Sequence, residues 1–162
     1  MSTLVARLKL SSFNWLAFCM FILTVAGLGV SGYLMWGYTV PGATLSCGAS
    51  SGCETVKNSA YANLAGIPLP VWGLVSYAVL LVLLVSQGQP IVSDRGWVPY
   101  VALSIFGVSL AGVIYSAYLT YIELFVIFAI CRWCVASAII MVAIFILSII
   151  NLRNNQSYYT AR

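Results

Sequence analysis

Four of the five cysteines in this chain fall into two pairs, Cys47 with Cys53 and Cys131 with Cys134. Cys131-Arg-Trp-Cys134 is a CxxC, and residues i and i+3 share one face of a helix, close enough to bridge. At a helix start the positive end of the dipole, aided by a cation such as Arg132, stabilises a thiolate. The thiolate is the nucleophile of disulfide exchange. Cys47 and Cys53 flank a short segment containing Gly48, Ser50, Ser51 and Gly52. Such a segment can close a disulfide and can also swing. Together the pairs suggest a relay in which a mobile pair trades electrons with a fixed one. A static disulfide clip is the other reading. Four-cysteine zinc is a third chemistry, but a CxxC set in a membrane on an oxidising face argues against it, and no metal is expected. Lys57, one helical turn after Cys53, reads either as a stabiliser of its thiolate or as a solvated charge. Cys19, alone in an apolar run, reads as a small hydrophobe.

The remaining composition narrows the chemistry. Histidine is absent, and Glu54, Asp94 and Glu123 are the only acids. Imidazole bases, His-ligated haem, most zinc sites and paired-carboxylate mechanisms are thereby excluded. No glycine signature for a dinucleotide is present. A thiol relay still needs a final electron acceptor. A quinone such as ubiquinone or menaquinone, dissolved in the bilayer, meets that need in a helical pocket beside Cys134. Trp72, Tyr115 and Tyr118 are candidate lining residues, although aromatic side chains near helix ends also act as interfacial anchors. Glu123, near an expected helix end, reads as solvated. The seven basic residues are scattered, which leaves a nucleic-acid partner without support.

These residues must be held by membrane helices. Hydrophobic residues make up 62% of the 162 and charged ones 6%, where a soluble domain has about 25% charged. Mean hydropathy is +1.03. The pattern predicts an all-α membrane protein, a single four-transmembrane-helix bundle over 1–162. The spans fall at about 13–36, 67–86, 97–121 and 128–150, with an outer loop over 37–66. The first span follows Arg7 and Lys9 as in a signal peptide. Its apolar run is too long for one and lacks a small-x-small cleavage site, so it is expected to remain as an anchor. Arg7, Lys9, Arg95, Arg153 and Arg162 lie on one side, Lys57 and Arg132 on the other. The positive-inside bias then puts both termini in the cytoplasm and all four paired cysteines outside, where disulfides persist. The expected location is the plasma or inner membrane, with the active site on the periplasmic or extracytoplasmic face. In the outer loop, Val56, Ala60 and Leu64 recur at helical spacing and predict a short surface helix from Cys53 to Leu64. Gly27, Gly107, Ala111 and Gly112 read as close-packing positions.

The chain resembles the vitamin K epoxide reductase family, in particular its bacterial and archaeal thiol-oxidising members. The resemblance covers nearly the whole chain and is carried by Cys47-x5-Cys53, Val56-x2-Ser59-x-Tyr61-Ala62, Gly66-Ile67-Pro68 with Gly73, and Cys131-x2-Cys134 opening the last helix. In the unrelated DsbB family the CxxC comes in the first outer loop instead. The resemblance implies that a reduced thioredoxin-like, DsbA-like partner attacks Cys47. Cys53 then attacks Cys131, and the released Cys134 passes electrons to the quinone. It also implies that the surface helix caps the four-helix pocket. Family members that reduce vitamin K epoxide carry Asn and Tyr where this chain has Leu69 and Ala138. Many bacterial members carry a fused thioredoxin-like domain. This chain stops soon after Ile150, so a separate partner protein is expected. The function expected is a membrane thiol:quinone oxidoreductase supporting disulfide formation. Vitamin K quinone or epoxide reduction, and a non-catalytic scaffold with structural disulfides, are the alternatives.

Overall fold

The computed structural model describes residues 2–40, 43, 45, 47, 52–64 and 66–160. The Gly/Ser-rich stretch 48–51, expected to swing, and Arg162 lie outside the described residues. Four helices are long and apolar enough to cross a membrane: α1 (Ser2–Thr39), α3 (Leu69–Gln87), α5 (Val98–Ile122) and α6 (Arg132–Thr160). At 1.5 Å per residue each covers a hydrocarbon core of ~30 Å. α1 packs against α3 and α6, and α5 packs against α3 and α6, which closes a four-helix ring. Side chains such as Val82, Ile114 and Ile139 are exposed on its outside. An apolar exterior of that kind is matched to lipid rather than water.

The ring closes on a narrow core. Met20, Tyr77, Leu80, Ile105, Met141 and Ile144 are buried at its centre. Gly27 lets α1 lie on the Tyr77 ring, where any Cβ would collide, and Gly112 meets the Met141 sulfur of α6 in the same way. Gly107 faces open space and Ala111 is exposed, so these two of the expected packing positions do not serve as contacts. Polar pairs stitch the far end: Ser109 with Ser148 at 3.1 Å, and the Gln87 and Asn151 amides with each other at 3.2 and 3.4 Å. Such pairs satisfy groups that would otherwise be unpaired in an apolar interior.

The connections differ from the expected ranges in three places. The loop helix α2 is only Gly52–Lys57, not Cys53 to Leu64. Ser59 closes it by donating to the Val56 carbonyl at 2.7 Å, a local bond that competes with helix continuation. A short turn over Ala60–Ala62 follows, then a two-residue antiparallel ribbon of β1 (Asn63–Leu64) and β2 (Ile67–Pro68) around Gly66, whose φ is +79°. The connector after α3 contains a helical turn, α4 (Pro90–Asp94). Last, α5 runs on as a π-helical segment, Glu123–Ile127, and Phe128 turns the chain with φ of 54°. α6 therefore begins at Arg132 rather than near 128.

Candidate functional site

The functional end of the ring is built around sulfur. Leu34, Leu45, Cys47, Cys53, Val56 and Cys131 form a second buried cluster. Within it Cys47 and Cys53 are joined as a disulfide, with Cα atoms 6.1 Å apart. Cys131 and Cys134 are free thiols. The two pairs meet through one contact: Cys53 Sγ lies 3.5 Å from Cys131 Sγ, with both residues buried at 1% and 2% exposure. Gly52 makes that approach possible. Its α-carbon sits against the Ile130 carbonyl, in space that a side chain would occupy, and this brings α2 down onto the start of α6.

Cys131 caps α6. Its carbonyl accepts the first helical bond from Val135 N–H at 3.0 Å, and its sulfur accepts from Cys134 N–H at 3.3 Å. The Cys134 thiol, hydrogen-bonded to Cys131, pulls the Cys131 thiol below its ordinary range, against the opposing effects of burial and the Glu123 charge. Hydrogen bonds of this kind favour the thiolate that exchange chemistry needs. Arg132, expected to help, points outward and is exposed. Lys57 is partly buried and engaged rather than free in solvent. Its Nζ donates to the Ala43 carbonyl at 3.3 Å and lies 3.9 Å from Glu54.

Beside the sulfur atoms lies a cavity of about 100 Å³, walled by α1, α2, α3, α5 and α6. Cys53, Cys131 and Cys134 all line it, as do Trp72 and Tyr115. Tyr118, the third aromatic expected there, is 52% exposed and does not. Trp72 is also 40% exposed, so its side chain spans cavity and exterior. Tyr38 and Ser137 line the cavity without having been singled out by the sequence, and Tyr61, quoted there only for the family resemblance, lines it too. Tyr77 closes its floor, donating through its hydroxyl to the Ser137 carbonyl at 2.9 Å. Glu123 departs most from expectation. Instead of being solvated it is 5% exposed and lines the cavity, and its Oε2 accepts Cys131 N–H at 3.0 Å. The signal for it was present: a lone acid inside an apolar run, eight positions before the CxxC, is costly unless it is used. Cys19 remains a half-buried free thiol on α1, outside the cavity wall.

The sequence matches the vitamin K epoxide reductase family over residues 18–149, from the first span into the fourth. The chain belongs to that family. Vitamin K epoxide reductase family proteins are membrane oxidoreductases that use quinones, and the four apolar helices make this member a multi-pass membrane protein. The matched region contains both cysteine pairs, Glu123 and the cavity between them.

Proposed function

We propose that the protein is a thiol:quinone oxidoreductase that draws electrons from a separate thioredoxin-like protein and so supports disulfide formation. The observation that carries this reading is the 3.5 Å contact between Cys53 and Cys131, where the two pairs meet. A thiolate of the reduced partner attacks Cys47, and Cys53 leaves as a thiolate. The second partner thiol then releases the partner as its disulfide. Cys53 attacks the sulfur of Cys131 in the inner disulfide, forming a Cys53–Cys131 bond and expelling Cys134. Cys47 next attacks Cys53, which restores the loop disulfide and frees Cys131. The loop is then oxidised and the inner pair reduced. Two electrons and two protons then rest on Cys131 and Cys134 at the cavity wall.

The cavity suits a quinone head group. Its lining is mostly apolar, and the Tyr115 hydroxyl is buried there with no hydrogen-bond partner among the described residues. A buried donor left unmatched costs about 1–3 kcal/mol, and a quinone oxygen would relieve it. A bound quinone supplies the terminal two-electron oxidant. Cys134 and Tyr115 face that group, and Trp72 shields its side of the cavity. Leu69 and Ala138, the positions where epoxide-reducing members carry Asn and Tyr, both line the cavity and offer no donor. That favours plain quinone reduction over epoxide reduction.

The positive-inside bias supports cytoplasmic termini and an outward-facing sulfur cluster in the plasma or inner membrane. The deciding assay mixes purified protein, a reduced thioredoxin-like protein and a panel of ubiquinone and menaquinone analogues. Quinol formation that depends on all three is expected. No quinol with any analogue would remove the reading in favour of a scaffold held by static disulfides.

A further inference from the structure

Glu123 is an acid with no role in the sulfur exchanges of the relay, yet it stands at the centre of the site. It rests on a π-helical segment, an irregularity that often marks a functional position. Its carboxylate and the sulfurs of Cys131 and Cys134 all lie within 4.8 Å of one another. Among the described residues it has no salt-bridge partner; the ion pair present is Lys57 with Glu54. The groups facing it are the Cys131 amide, the two inner thiols, Cys53 across the sulfur contact and Tyr38 from α1. A structural acceptor for one N–H does not require a carboxyl; an amide would serve without the cost of burying an acid.

We infer that Glu123 is the proton-transfer residue of the inner pair, giving its proton to the Cys134 sulfur as that sulfur leaves Cys131. This rests on the relay proposed above. In water a thiolate departs unaided, but beside an apolar cavity an expelled anion costs several kcal/mol unless a proton arrives with it. The step balances within the chain. The Cys53–Cys131 bond forms, the Cys131–Cys134 bond breaks, the electron pair goes to the Cys134 sulfur, and the proton passes from the carboxyl to that sulfur. Glu123 is left as the carboxylate. When the Cys131–Cys134 dithiol is later reoxidised, the same carboxylate takes the Cys134 proton back and is ready for the next cycle.

The test is a single turnover of the full chain without quinone. Both pairs are first oxidised, dithiothreitol is added, and samples are quenched in acid. Free Cys134 is then counted by maleimide labelling and mass spectrometry. Dithiothreitol attacks as its thiolate, so each rate is normalised to reduction of the loop disulfide in the same sample. In the native chain the normalised release of Cys134 should be nearly flat across neutral pH, with a solvent deuterium isotope effect. Glu123→Gln keeps an acceptor for Cys131 N–H but carries no proton. It should slow the release about 10²-fold, the usual contribution of a positioned acid, and make the rate fall as pH rises. Glu123→Asp should restore most of the rate and the flat profile. Equal rates and profiles in the native chain and Glu123→Gln overturn the inference, as does Glu123→Asp being as slow as Glu123→Gln, which would mark a positional role. If Glu123→Gln does not fold, the native isotope effect decides, and its absence overturns the inference. Should Cys134 never be released in the native chain, it is the relay that fails.

Discussion

At the scale of single residues, the roles of the four cysteines are set by which sulfurs touch. Cys53 meets Cys131, while Cys47 is joined to Cys53. Cys47→Ala removes the thiol that would resolve the Cys53–Cys131 bond from the loop side, and Cys134→Ser removes the one on the helix side. Each variant should accumulate that mixed disulfide, read by mass spectrometry, and neither should reduce quinone steadily. A Cys47–Cys131 linkage instead would exchange the roles of the two loop cysteines. Tyr115 makes a prediction with opposite signs. Tyr115→Phe deletes an unmatched buried hydroxyl, so the protein without quinone should be as stable or up to about 1 kcal/mol more stable in thermal unfolding. The same change should raise KM for a quinone analogue about fivefold, the equivalent of one ordinary hydrogen bond. An unchanged KM would place the head group elsewhere. The cysteines were legible in the sequence because reactive side chains are scarce in so apolar a chain. Glu123 stood out as a lone acid in an apolar run, but its burial was not legible, because that depends on a backbone turn at Phe128. Nor was the outward position of Tyr118, since neither side chain's rotation toward or away from the cavity is written in aromatic spacing.

At the scale of elements, hydropathy located four helices because ~20 apolar residues is a coarse requirement that lipid enforces strongly. It gave no warning of the π-helical segment or of the late start of α6, since the whole stretch from Leu124 to Ile130 is apolar whatever its backbone does. The loop helix was overextended for the reverse reason: Val56, Ala60 and Leu64 fit a helical period, yet Ser59 and Gly66 end the helix locally. What the loop does instead is fasten itself. Leu45 N–H donates to Glu54 Oε1 at 2.9 Å, and Lys57 donates to the Ala43 carbonyl, so α2 holds the segment leading into Cys47 at two points. Cys47 is only 5% exposed in that state. A folded partner can attack its sulfur only after that segment lifts. Glu54→Ala should therefore speed maleimide labelling of Cys47 in the reduced protein and raise the rate of partner oxidation severalfold, while costing about 1 kcal/mol of stability for the lost bond. Labelling at the native rate would mean that these contacts do not hold the segment.

For the whole molecule, the ring of four helices gives the two pairs different freedom. Cys131 and Cys134 begin a helix that continues to Thr160 and is packed on α1 and α5. Cys47 and Cys53 sit on a loop joined to that frame through α2 and the sulfur contact. A soluble partner should meet the loop first, and from outside the cell if the basic residues orient the chain as expected. An impermeant thiol reagent, applied to intact cells after mild reduction, should then reach Cys47 without lysis; labelling only after lysis would reverse the topology. The division of labour itself is tested by removing the loop pair. With Cys47→Ala and Cys53→Ala together, Cys131 loses the sulfur that lies against it, and on the proposed relay a folded thioredoxin-like protein, too large to enter the bundle, loses its route for passing electrons inward. Oxidation of that partner should fall to background. Dithiothreitol is small enough to reach Cys131 directly once the Cys53 side chain is shortened, so quinone reduction driven by it should largely persist. Running both reductants on the double variant separates a broken relay from a broken fold, because a misfolded bundle would lose both activities. If the folded partner is still oxidised at near the native rate, the loop disulfide is a clip and electrons enter at Cys131.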